Sequence, residues 1–568
     1  MDETVTEELT DNKEYEERAD FIDDDDLKNW TTESDFLHNI QNKILQRGAK
    51  LIVGPRGTGK THQFRLAYNK CLKDEKMPMA VYVTYGKYYH LEPFLTRSSR
   101  AIKIFHTWVL GKILLGCYNL LSEIESKSEL FKEDDAIDKK RLESFVSQAE
   151  KSYLDDFQDE LITRLTIHKV ISTLESLALK LNKKRIILLL DDAALSLTPD
   201  YMVEFFDIFR SLKTKKIAPK ASVYPGTTEY GPRFHIGHDA EEVNAWPNVE
   251  EKDYSTFMEG LLQKRFHEVI KEVPKDIIEL LKFASFGVPR TFIGLLRDYI
   301  QNEGKTMQQK FNNVVHAQAK LIEKGYFSLI QKIPQYRMII NTGFVLFKKA
   351  IEIITEENKT LQNEKQIQVG ILRERHLKFD RMVKLLIEAG LLYELEPVRH
   401  GGSEREYNRY ILHLLFLLKN RTFSSDRGFN PQNIVAFINR KSSKHPIRRS
   451  FDTILSREQI ENIRLDLPPC NYCKTPRLTE DQKFCHSCGH QLVEQSTFEK
   501  CMNLPIDNLP ISERLKRRIK VQTRVETIGD LLNLPAPARA LQKADYIGPK
   551  RSEMIYRKAK SLAEEFLA

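Results

Sequence analysis

The chain has 568 residues, 41% of them hydrophobic and 30% charged, enough to bury several cores and to divide into roughly three to five domains. Its net charge of +8 conceals a polarity: residues 1–35 hold 15 acidic and 3 basic side chains, so the remainder carries about +20. No apolar run in the sequence approaches the ~20 residues a bilayer span needs, and the acidic start is the reverse of a targeting segment. A cytoplasmic protein with no membrane partner is therefore expected. Five of the seven cysteines fall between Cys470 and Cys501, a placement that excludes a disulfide framework.

In chain order, residues 1–33, with four consecutive aspartates from Asp23 to Asp26, are expected to be an acidic disordered tail; a competitor for the protein's own basic groove is the sharper alternative. Residues 34–245 alternate strands and helices: "KLIV", "MAVYVTY", "RIILLLDD" and "ASVYPGTT" are the strand candidates, and 101–182 reads as mostly helical. That alternation implies a parallel three-layer α/β sheet. Residues 246–358 read as all helix, interrupted by "FGVPRTF". Residues 359–422 read as a helix, "FDRMVKLLIEAGLL", and a two-stranded hairpin. A basic linker is expected over 423–466, a cysteine module over 467–495, and a small all-α unit over 501–568.

Gly54, Pro55, Arg56, Gly57, Thr58, Gly59, Lys60 and Thr61 match G-x-x-x-x-G-K-[ST] after an apolar strand and before a helix. Glycines let successive N–H groups curl around a phosphate at a helix start. Lys60 would contact the outer phosphates of ATP and Thr61 would ligate Mg2+. Asp191, ending a buried strand, is the expected magnesium partner. Asp192 is the expected general base of ATP hydrolysis, with a structural or helix-capping carboxylate as the alternative. The order of phosphate loop, "LLLDD", "YPGTT" and "FGVPR" resembles AAA+ ATPases, in particular origin-recognition and replication-initiator proteins, over roughly residues 34–420. The resemblance implies a P-loop NTPase core, a helical lid and a winged helix. It implies a sensor at Thr227 or Thr228, a lid arginine at Arg290, self-association on ATP binding, and an arginine finger for which Arg210 and Arg233 are unranked candidates. Related ATPases often place a glutamate where Asp192 stands; the shorter aspartate leaves slow, switch-like hydrolysis open.

Three further modules look able to hold nucleic acid, with the partner of the second, the cysteine module, open between nucleic acid and protein. The helix–hairpin resembles a winged helix, with Arg375, Lys378, Arg381 and Lys384 on one helix face and Arg399, His400, Arg405 and Arg409 around the Gly401-Gly402 tip. Cys470, Cys473, Cys485 and Cys488 form two C-x2-C knuckles suited to a closed tetrahedral Zn2+ site, a zinc ribbon with little apolar content beyond Leu478, Phe484 and Leu492. "YIGPKRSEMI" resembles the second half of a helix-hairpin-helix, and the unit 501–568 the carboxyl-terminal domain of the bacterial RNA polymerase alpha subunit. Tyr546 stands where such hairpins usually carry glycine. The unit holds 13 basic and 8 acidic residues. The whole reads as a bacterial ATP-dependent DNA-binding ATPase, with a partner nuclease or helicase open. The alternatives are a STAND-like nucleotide-switched signalling protein and a DNA-anchored scaffold with little turnover.

Overall fold

A computed structural model describes residues 19–124, 138–152, 154, 159–193, 199–266, 269–361, 365–373, 377–400, 405–423, 429–439, 447–479, 482, 484–492, 497–534 and 536–567. Arg375 and the Gly401-Gly402 tip lie outside the described residues. Strands β1 (Lys50–Val53), β2 (Met79–Thr84), β3 (Ile186–Asp191), β4 (Ile217–Val223) and β5 (Glu241–Asn244) form one parallel sheet in the order β2-β3-β4-β1-β5. Every residue of β3 and β4 is buried, because both strands sit inside the sheet with both faces covered by helices. Each fully buried aliphatic side chain there contributes roughly 1.5–3 kcal/mol. The motif loop joins β1 to the helix Lys60–Lys73, so the chain has the α/β fold of a P-loop NTPase.

β4 begins four residues earlier than the sequence suggests and stops at Val223. Pro219 and Lys220 disguise its first half, since proline is rare in a central strand and a buried lysine rarer still. Lys220 Nζ donates to the carbonyls of Gln46 (2.8 Å) and Gly48 (2.5 Å), satisfying the ammonium inside the core. β5 has no sequence signature, being "EEVN" on a sheet edge. Glu241 instead accepts hydrogen bonds from Lys43 and Lys50.

Two expectations are corrected. The helix Ala101–Glu123 is long and apolar enough to cross a bilayer by length and composition; Trp108, Ile113, Leu114 and Cys117 are buried in the core, which explains its composition without a membrane. The acidic tail is folded from residue 19 onward. Its helix Asp24–Asn29 buries Leu27, and Arg65 ties it to the helix Lys60–Lys73 through the carbonyls of Ala19 and Ile22 and the Asp24 carboxylate. Trp30 faces the guanidinium of Arg265 at 4.6 Å. A strongly charged segment thus orders by pairing with cations on the body.

After five helices spanning Asp253–Arg265 to Arg337–Thr360, a second sheet forms from β6 (Gln368–Leu372), β7 (Leu392–Arg399), β8 (Glu406–Leu412) and β9 (Ile447–Arg449). The helix Leu377–Glu388 lies between β6 and β7 in the chain, and β7 and β8 pair antiparallel. The stretch expected as a linker is more than a connection: it holds the helix Pro431–Asn439 and supplies β9, parallel to β6. The last unit consists of short helices and the 19-residue Pro549–Leu567. It is seated on the core through Phe498, whose N–H donates to Glu92 (3.0 Å) and whose ring lies 4.8 Å from that of His90.

Candidate nucleotide site and its neighbours

Gly57 and Gly59 both have φ +88, a left-handed conformation that the loop imposes and glycine adopts without strain. Gly59 caps the helix Lys60–Lys73, so the free N–H groups of its first turn face the loop. Lys60 is buried, with Nζ donating to Gly54 O (2.5 Å) and Pro55 O (3.1 Å) and lying 4.6 Å from the Tyr224 ring centroid. Burial pulls its ammonium down to about 7, against the attraction of Asp191 and Asp192. Thr58 Oγ1 donates to Pro55 O at 3.0 Å, and Thr61 is half-buried at the helix start.

Asp191 ends β3 almost fully buried, at 1% exposure. Its Oδ1 accepts from Ser222 Oγ (2.6 Å) and from the N–H of Asp192 (3.0 Å), and its Oδ2 accepts from Tyr82 OH (3.0 Å). A buried carboxylate with this many donors is fixed in direction. Asp192 has φ +52, a region aspartate enters more readily than most residues. Its N–H also reaches Ser222 Oγ (2.9 Å), and its Oδ2 lies 3.4 Å from Thr84 Oγ1. Tyr82, Thr84 and Ser222 were not candidates from sequence. They meet the aspartates through register alone: Thr84 pairs with Asp191, and Ala221, beside Ser222, pairs with Leu190.

The remaining candidates are distributed unequally. Thr227 and Thr228 lie beyond the end of β4. Thr228 donates to Tyr224 O (2.8 Å), while Thr227 hydrogen-bonds the carboxylate of Glu388, which burial raises above the usual range. Arg290 and Val288 come directly onto the phosphate loop. A β-carbon on Gly57 would sit 2.9 Å from Arg290 Cβ and 3.0 Å from Val288 Cγ1, and the Arg290 N–H approaches Gly57 O at 3.4 Å. The two finger candidates converge on one partner, Asp207, at 3.7 Å from Arg210 and 3.6 Å from Arg233.

The helix Leu377–Glu388 buries Phe379, Val383, Leu386 and Ile387 as its periodicity predicts. Its amino-acid pattern did not reveal that it docks on the loop after β4. Arg381 pairs with Glu229 at 3.3 Å, and a β-carbon on Gly226 would lie 2.8 Å from Lys384 O. Tyr393 OH, on β7, accepts from Asn244 Nδ2 (2.7 Å). The phosphate loop, the Val288–Arg290 segment and the second sheet are therefore in one contiguous contact network around the β-strand ends.

The sulfur atoms of Cys470, Cys473, Cys485 and Cys488 all lie within 4.8 Å of one another. The Cys470–Cys488 and Cys473–Cys485 sulfur separations are 3.6 Å and 3.4 Å. These are too long for a disulfide of about 2.05 Å and close to the ~3.8 Å edge of a tetrahedron with ~2.3 Å zinc–sulfur bonds. The residues fit Zn2+. His486 contacts Gln482, and His490 stacks on Tyr472 at 3.9 Å. Leu478 and Phe484, read from sequence as this module's apolar content, are 71% and 59% exposed, so no hydrophobic centre forms from them. Cys501 is buried beside Ala563.

No protein-family model matches the chain, and no curated protein matches it. Among solved structures, the Walker-type ATPase PABY2304 of Pyrococcus abyssi is similar at 15% identity, covering 72% of this chain and 95% of that one with a TM-score of 0.35. The Aeropyrum pernix ORC1 protein in complex with DNA is similar at 12% identity, covering 68% and 91% with a TM-score of 0.29. The P-loop NTPase fold rests on this chain's own strand order, phosphate loop and Asp191.

Proposed function

We propose that this chain is an AAA+-type ATPase that uses ATP binding and hydrolysis to control its engagement of DNA. The observation that carries the reading is the seating of Val288 and Arg290 on Gly57, which makes the lid sensitive to whatever the phosphate loop holds. Bound Mg2+ would neutralise charge developing on the phosphate oxygens. The N–H groups of the loop and Lys60 would hold the phosphates, and Thr61 and Asp191 would hold the metal ion. Asp192 is placed to take a proton from the attacking water, Arg290 closes the lid, and Thr227, held by Glu388, links the strand end to the second sheet. The β6–β8 module acts as a winged helix, the four cysteines as a Zn2+ ribbon and the unit 501–568 as a helix-hairpin-helix. Together they bring a basic surface to DNA phosphates.

The test is ATP turnover with and without duplex DNA, on wild type, Lys60→Ala and Asp192→Asn. DNA should accelerate wild-type turnover, Lys60→Ala should lose nucleotide binding, and Asp192→Asn should bind ATP while losing on the order of a hundredfold or more in rate. Turnover indifferent to DNA would favour a second reading, a nucleotide-switched signalling protein. The docked helix, with Arg381 on Glu229 and Glu388 on Thr227, is the contact such a switch would release.

A further inference from the structure

We propose that Tyr546 is a stacking platform for an unpaired nucleobase, so that the carboxyl-terminal unit selects junctions between single- and double-stranded DNA; this rests on reading that unit as DNA-binding. Tyr546 is 72% exposed and has φ +66, a conformation in which a bulky residue is strained and glycine is not. An aromatic ring that packs nothing in the core and costs backbone strain contributes little to folding.

The ring is nevertheless held. The Arg518 guanidinium lies 4.2 Å from its centroid, over one face of a ring that stays largely exposed. The hairpin beneath it is pinned to the helix Glu513–Thr523: Gln522 Nε2 donates to Asp545 Oδ2 (2.9 Å), and the Asp545 N–H donates back to Gln522 Oε1 (2.7 Å). Arg518 Nη1 reaches Asp545 O (3.4 Å) and Arg551 Nη1 reaches Tyr546 O (3.2 Å). A pre-oriented ring loses little rotamer freedom when a second planar group stacks on it.

The surroundings select the chemistry of that group. Exposed Lys543, Lys550 and Arg551 flank the hairpin and Arg517 and Arg524 lie on the helix and its end, a setting that suits a polyanion carrying flat apolar bases. Duplex bases are already stacked on each other. An exposed ring finds a partner where a base is unpaired, at a tail, gap or fork, and base–aromatic stacking is tolerant of sequence.

The experiment measures affinity of the full-length, zinc-loaded protein for a blunt duplex and for the same duplex with a single-stranded tail, at fixed salt. Tyr546→Gly removes the ring and relieves the left-handed strain, so it tests stacking without threatening the fold; Tyr546→Phe keeps the ring. Wild type and Tyr546→Phe should prefer the tailed probe. Tyr546→Gly should bind the blunt duplex as wild type does and lose about tenfold on the tailed one. Equal losses on both probes, or no loss on either, would overturn the inference while leaving DNA binding intact. If wild type binds neither probe, the DNA reading itself fails and this inference with it.

Discussion

Around the phosphate loop, position is set by burial: Leu188, Leu189 and Ala221 are almost fully enclosed and bring Asp191, Ser222 and Tyr82 within hydrogen-bonding distance of one another. Around Cys470 the order is reversed, with Tyr472, Leu478 and Phe484 largely exposed and four sulfurs at the centre. In the first region a ligand meets a site that packing has already built. In the second a Zn2+ held as proposed would itself be the centre of the packing, as expected where a short segment cannot enclose a core.

On the proposed zinc reading of the four cysteines, the sharpest way to separate the two is to chelate the metal. Structural zinc supplies about 10–16 kcal/mol of apparent binding free energy in small modules, so a strong chelator should abolish amide-exchange protection around residues 470–490. The melting transition of the nucleotide core should stay in place; a core that melts along with the ribbon would mean the two are one cooperative unit. The converse perturbation is Leu188→Ala on β3, where a cavity should cost ~2–5 kcal/mol in denaturant unfolding of the core with zinc content unchanged.

Next in size is Gly57→Ala. The new β-carbon would be 2.9 Å from Arg290 Cβ on a backbone with φ +88, forcing the loop and the Val288–Arg290 segment apart. ATP affinity, read by calorimetry, should fall by on the order of tenfold to a hundredfold, an effect the four-cysteine module should not share. The smallest effect concerns acid. Lys43 and Lys50 hold the Glu241 carboxyl at about 2, below its usual 4.5. The folded state therefore binds this proton less readily than the unfolded chain, and the contribution is complete above about pH 4.5 and lost as pH falls toward 2. Glu241 is 45% exposed, so solvent limits the pair to at most ~1 kcal/mol. Glu241→Gln should lower the melting temperature slightly near neutrality and converge with wild type near pH 2.

Legibility in the sequence followed the range of the interactions. Residues 54–61 were readable because eight consecutive residues carry both the glycines that permit φ +88 and the lysine and threonine that complete the motif. The cysteine quartet was readable for the same reason, its ligands lying within 19 residues of chain. The first half of β4 was hidden by Pro219 and Lys220, and β5 by two adjacent glutamates, because in both cases tertiary partners compensate what propensity disfavours.

What the amino-acid order determined by itself, then, is chemistry that is local: a loop able to cradle phosphate, an acidic strand end, four thiols at metal spacing and an uneven distribution of charge. Tertiary structure alone decided that Ser222 and Tyr82 hold Asp191, that Thr227 turns to Glu388, that Arg290 rests on Gly57, and that the acidic segment folds back onto Arg65. Strand register and helix docking depend on contacts between segments far apart in the chain, 406 residues in the case of Glu92 and Phe498. No window of sequence contains both halves of such a contact.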